Sequence, residues 1–141
     1  MSRCLNRATL IGYLGADPEI RTLPGGGRVA QIALATTRRW SDRDGKPREK
    51  TQWHRITVWD SLPTTFAFVE AYVRKGDRVY VEGEIDYRSY EDRNGDVCWR
   101  TEIRAFDVLA AGELSGGGNR RAAGKPVAAR SGSGAVETSA L

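Results

Sequence analysis

Apolar and polar residues alternate with a period of two through most of residues 6–109, the mark of strands that bury one face. The pattern is clearest over 51–59. There Trp53, Arg55, Thr57 and Trp59 share one strand face, and His54, Ile56 and Val58 share the other. Upstream, residues 6–14 carry the β-friendly Thr9, Leu10, Ile11 and Tyr13 and halt at Gly15-Ala16-Asp17-Pro18, because proline cannot donate to a ladder. A short extended piece, 19–23, leads into a turn at Pro24-Gly25-Gly26-Gly27, and in 28–37 Ala30, Ile32 and Leu34 alternate with Gln31, Ala33 and Ala35. Residues 41–50 are polar with Asp44-Gly45 as turn signal, which predicts a long protruding hairpin.

After the central strand the period changes to that of a helix. Asp60 or Ser61 can cap it, Pro63 suits its first turn, and Leu62, Phe66, Val69 and Val73 recur at helical spacing until Gly76. Phe66, Phe68 and Tyr72 are packing residues on this spacing, and Arg74 and Lys75 complement the helix dipole. The alternation returns in 78–90, where Gly83 marks a bulge or barrel corner, and after the Asn94-Gly95 turn in 97–109. Five strand patterns with a lone helix between the third and fourth predict an all-β chain with one helix, a closed or partly open five-stranded Greek-key barrel of the oligonucleotide-binding (OB) architecture. An open sheet with one packed helix is the alternative. Beyond Gly112 the composition shifts to Gly, Ser, Ala and Arg with little to bury, so the chain divides into a folded domain, 1–112, and a disordered tail, 113–141.

Charge and chemistry sharpen this picture. The chain has 141 residues, with 22 Lys and Arg against 18 Asp and Glu, and its formal charge of +4 permits a polyanion partner without demanding one. Two indoles with a guanidinium between them suit a single-stranded nucleic acid, since bases stack on rings and the cation meets phosphate. A sheet buried on both faces would explain the same residues, and at this point both readings stand. Arg43, Lys46, Arg48 and Lys50 of the predicted hairpin lie where a phosphate backbone passing Trp40 and the Trp53–Trp59 face would meet them. Tyr90 and Trp99 flank the second hairpin and offer further rings. The glycines at 25–27 are not followed by a helix or by a phosphate-loop lysine, so a turn explains them better than a phosphate cradle. Cys4 and Cys98 form no CxxC pair and have only His54 as nitrogen partner, so neither a metal site nor a cofactor is expected. No apolar run is long enough to cross a membrane and no signal-peptide core follows Met1, which predicts a cytoplasmic chain. No paired-carboxylate or His-carboxylate constellation accompanies the aromatic face, so a binding role is expected, not an enzyme.

From about Arg3 to Gly112 the chain resembles the bacterial single-stranded DNA-binding protein family. The resemblance is carried by Asn6-Arg7-Ala8-Thr9-Leu10-Ile11-Gly12-Tyr13-Leu14-Gly15-Ala16-Asp17-Pro18-Glu19-Ile20-Arg21 and by Val29-Ala30-Gln31-Ile32-Ala33-Leu34-Ala35-Thr36. Further stretches are Trp53-His54-Arg55, Tyr72-Val73-Arg74-Lys75-Gly76 and Val79-Tyr80-Val81-Glu82-Gly83. It implies an OB barrel that assembles as a homotetramer and wraps single-stranded DNA without sequence preference, with the nucleoid as its place in the cell. The stacking aromatics then fall on Trp40, Trp53, Trp59 and Tyr90 and the phosphate-contacting cations on Arg3, Arg7, Arg55, Arg74, Lys75 and Arg88, which Arg43 of the hairpin joins. His54 falls near a subunit interface. Asp86 and Ser61 stand where the family often has cations. The tail ends Val136-Glu137-Thr138-Ser139-Ala140-Leu141, without the acidic, aromatic-tipped peptide through which such proteins recruit partners, which puts recruitment through the tail in doubt and keeps a protein-docking adaptor as the second reading.

Overall fold

A computed structural model describes residues 3–114 and the strand Ala135–Ala140. In chain order the elements are β1 (Ala8–Leu14), β2 (Glu19–Thr22), β3 (Arg28–Ser41), β4 (Pro47–Trp59), α1 (Pro63–Tyr72), β5 (Arg78–Glu91), β6 (Val97–Ala110) and β7 (Ala135–Ala140). Five strands close on themselves. Antiparallel ladders join β3 to β4, β3 to β1, β1 to β5 and β5 to β6, and β6 returns to β4 in parallel through Ile56↔Ile103 and Thr57↔Arg104. β2 lies outside this ring on β3. The barrel of the OB type is therefore the one the alternation predicts, and closure removes the exposed sheet edges an open sheet would carry.

The inward residues are those the period of two selects. Leu14, Ala30, Ile32, Leu34, Ile56, Val58, Val79, Val81, Ala105 and Val108 form one buried cluster, completed by Phe66, Val69 and Val73 from the helical segment. Closing so small a ring forces backbones together at two glycines. A Cβ at Gly12 would lie 2.3 Å from the carbonyl oxygen of Ala35, and one at Gly83 would lie 2.2 Å from that of Arg104. Gly83 also marks the register shift between β5 and β6, where Glu82 faces Asp107 but Gly83 faces Ala105, leaving Phe106 as the extra residue.

Several boundaries differ from the sequence expectation. β3 and β4 run on through the polar hairpin, paired as far as Ser41↔Pro47, because cross-strand Arg39–Glu49 and Thr37–Thr51 contacts support the ladder where no apolar residue does. The two long hairpins share one turn design. Asp42 Oδ1 accepts from the amides of Asp44 and Lys46, Asp92 Oδ1 accepts from those of Asn94 and Asp96, and Gly45 and Gly95 take φ of 79° and 83°. The Lys46 amide foremost, then the Arg48 guanidinium and the Asp44 amide, hold the Asp42 carboxyl below its ordinary value. Neither Asp60 nor Ser61 caps α1, whose N-cap is Leu62 without a side-chain bond. Asp60 Oδ2 instead accepts from the Arg28 amide at 2.8 Å, tying the end of β4 to the start of β3. The disordered tail expected over 113–141 lies largely outside the described residues. Within it Ala135–Ala140 runs parallel to β4 from Arg48↔Ala135 to Trp53↔Ala140, a strand without a clear alternation to announce it.

Candidate functional site

The ladder between β3 and β4 sets the outward face. Val29, Gln31, Ala33 and Ala35 stand opposite Trp59, Thr57, Arg55 and Trp53, while the alternate row, Leu34 with His54 and Ile32 with Ile56, turns inward. Barrel closure then lays the β5–β6 hairpin beside this face. A cavity of about 200 Å³ forms between them, walled by Trp59 and Tyr90, floored by Thr57 and Glu102, and rimmed by Arg88 and Arg100. A second, of about 290 Å³, continues from it along Arg55, Trp99 and Thr101 and shares Tyr90 and Arg100 with the first. Together they make one groove with rings on its walls and guanidinium groups along its edges.

Each main ring is covered by a cation of the same chain. The guanidinium carbons of Arg88 and Arg104 lie 5.8 and 5.7 Å from the Trp59 ring centre, and that of Arg100 lies 4.7 Å from Tyr90. Such pairs at exposed sites are worth about 0.5–1 kcal/mol, less than the ~1–3 kcal/mol of a base stacked on an aromatic side chain. The rings are thus held by contacts weaker than a stacked base would make, with cations standing beside them.

Of the residues singled out in the sequence, Trp59, Tyr90, Arg55 and Arg88 come together in this groove. Trp53 lies further along the same face, its indole over Gly15, where a Cβ would come within 2.4 Å of the ring. Gly15→Ala is accordingly expected to push the Trp53 ring aside without disturbing the core, seen as a shifted tryptophan emission with an unchanged unfolding midpoint. Trp40 is not on this face. By register it pairs with Arg48 in the row of Leu34 and His54, on the reverse of the β3–β4 ribbon, 40% exposed and covered by Arg38 at 4.7 Å. Arg3, Arg7, Arg43, Arg74 and Lys75 line neither cavity. Arg74 is engaged with the end of α1, donating from Nη1 to the carbonyls of Glu70 and Val73, as the helix-dipole reading requires. His54 keeps its inward parity, with Nε2 2.8 Å from Thr36 Oγ1, and burial holds its imidazole below its ordinary value.

Arg100, Glu102 and Arg21, which line the groove, and Arg104, which covers Trp59, are not singled out in the sequence, and Trp99 enters more fully than expected. Arg100, Glu102 and Arg104 do share a period of two on β6, but which way that row points depends on the bulge at Gly83. Cys4 and Cys98 are free thiols. Among the described residues no cluster of His, Cys, Asp and Glu could hold a metal, and no helix is long and apolar enough to cross a membrane.

Comparison with known proteins bears on this groove. The family model described as the single-strand binding protein family matches residues 5–110. Among solved structures, a Plasmodium falciparum SSB in complex with ssDNA is similar at 36% identity and a TM-score of 0.69, over 78% of this chain and 97% of that one. A deletion mutant of the single-stranded DNA binding protein from Thermus aquaticus is similar at 27% identity and a TM-score of 0.62, over 81% of this chain and 57% of that one.

Proposed function

We propose, on the premise that this chain belongs to the single-strand binding protein family, that it binds single-stranded DNA with little regard to sequence and shields it during replication, recombination and repair. The observation that carries this is the groove itself, where Trp59, Tyr90 and Trp99 alternate with Arg55, Arg88 and Arg100. Every base has a ring face, so stacking tolerates any sequence, whereas a duplex has its bases already stacked inside. Trp53 extends the path along the same face. Trp40, behind the ribbon, would be reached by a strand that passes around the hairpin. The exposed Arg3, Arg7, Arg43 and Lys75 then serve phosphates beyond the groove, and Arg74, tied to helix carbonyls, adds to the local field. The role is one of binding, without catalysis, in the cytoplasm at the nucleoid.

Self-association, with a homotetramer as the expected form, is supported by an apolar row on the opposite side of the barrel. Ile11, Tyr80 and Leu109 stand in register across β1, β5 and β6, and Ile11 and Leu109 are 47% and 50% exposed. His54 would stand near a further contact between copies.

Titration of tryptophan fluorescence with oligo-dT, alongside sedimentation equilibrium, tests this reading. Strong quenching by the single strand and weak response to the matching duplex are expected. If Arg55, Arg88, Arg100 and Arg104 each neutralise one phosphate, affinity falls about 50-fold between roughly 50 and 200 mM salt. Absence of quenching would overturn the stacking mechanism and put a protein-docking adaptor in its place.

A further inference from the structure

The floor of the first cavity holds a group that neither stacking nor phosphate contact uses. Glu102 is 3% exposed, yet its Oε1 accepts no hydrogen bond among the described residues, and Arg88 Nη1 stands 3.5 Å from it. A carboxylate oxygen buried without a donor is costly, and such a group persists where a ligand completes it. Around this carboxylate, the one acidic group of the cavity lining, stand the guanidinium groups of Arg88, Arg100 and Arg21, the last also bonded through Nε to Glu19, together with the Gln31 amide and the Thr57, Ser89 and Tyr90 hydroxyls, which can donate or accept. Trp59 and Tyr90 form its walls, and the space suits a single base.

We infer that this cavity takes the Watson–Crick edge of one pyrimidine, thymine foremost, with Glu102 accepting its N3–H and flanking guanidinium groups donating to its carbonyl oxygens. Thymine presents one donor between two acceptors, the complement of one carboxylate among several cations. Cytosine, with one amine beside two acceptors, follows. Guanine brings two donors and one acceptor, and adenine one of each, so both leave guanidinium donors unmet. Arg88, half exposed, yields Oε1 to the base and turns to the phosphate. The inference rests on the single-strand reading and refines it: most of the path is blind to sequence, while this position is not. It also supplies a second reason for rejecting duplex DNA, in which thymine N3–H is already paired.

The test compares oligo-dT with an oligomer of equal length made wholly of N3-methylthymidine, which keeps the ring and the phosphates but loses the donor. The full-length protein is expected to bind oligo-dT roughly tenfold more tightly than the methylated oligomer, the worth of a hydrogen bond to a charged group. Glu102→Ala should bind the two alike. An equal preference in both proteins would overturn the inference, since the methyl group would then be sensed elsewhere. Should Glu102→Ala fail to fold, Glu102→Gln decides, with a preference well below that of the unaltered protein expected and an undiminished one counting against the inference. If the unaltered protein binds both oligomers alike, this inference falls and the single-strand reading stands. If it binds neither, both fall.

Discussion

Trp59→Ala weakens single-stranded DNA binding by about 1–3 kcal/mol, roughly 5- to 150-fold in Kd, while the unfolding midpoint stays close to that of the unaltered protein. The indole lies on the outward row of β4 opposite Val29, outside the buried cluster that holds the barrel together. Its loss removes one wall of the first cavity and leaves Arg88 and Arg104 without the ring they cover. Trp59→Phe keeps a ring face and should retain most of the affinity. Anisotropy of a labelled oligo-dT measures both variants, and thermal unfolding run beside it separates lost contact from lost fold. A Trp59→Ala protein that is folded and binds as before would remove Trp59 from the stacking path.

Ile56→Ala is expected to do the reverse: a loss of about 2–5 kcal/mol in stability with little change in intrinsic affinity. Ile56 is fully buried and pairs with Ile103 at the parallel joint where β4 meets β6, so truncation leaves a void at the seam that closes the barrel. Against a total stability of about 5–15 kcal/mol this is a large fraction. Urea unfolding at constant protein concentration reads it, since self-association would otherwise shift the midpoint. A loss under about 1 kcal/mol would mean that the surrounding side chains collapse into the void and that closure does not lean on this residue.

The parity of Trp53, Arg55, Thr57 and Trp59 was legible from the chain alone, because a strand's side-chain period is a local property of the backbone. So were the core set of Ala30, Ile32 and Leu34, the bulge at Gly83 and the turn at Asn94-Gly95. What lay beyond reach, within a barrel the pattern already predicted, was which residues the strand registers bring face to face. Trp40, grouped with the other indoles on sequence, stands on the reverse of the ribbon because the β3–β4 register pairs it with Arg48 in the row of Leu34 and His54. The helix cap failed because Asp60, a sound cap by local rules, is drawn instead to the amide of Arg28 across the sheet. Arg100 reaches Tyr90 within the β5–β6 hairpin itself, but Arg88 and Arg104 reach the ring of Trp59, and Glu102 comes to share its cavity, only when β6 closes onto β4. Local alternation thus determined which residues face outward. Closure, a long-range pairing that no local period encodes, decided which of those outward residues share a groove.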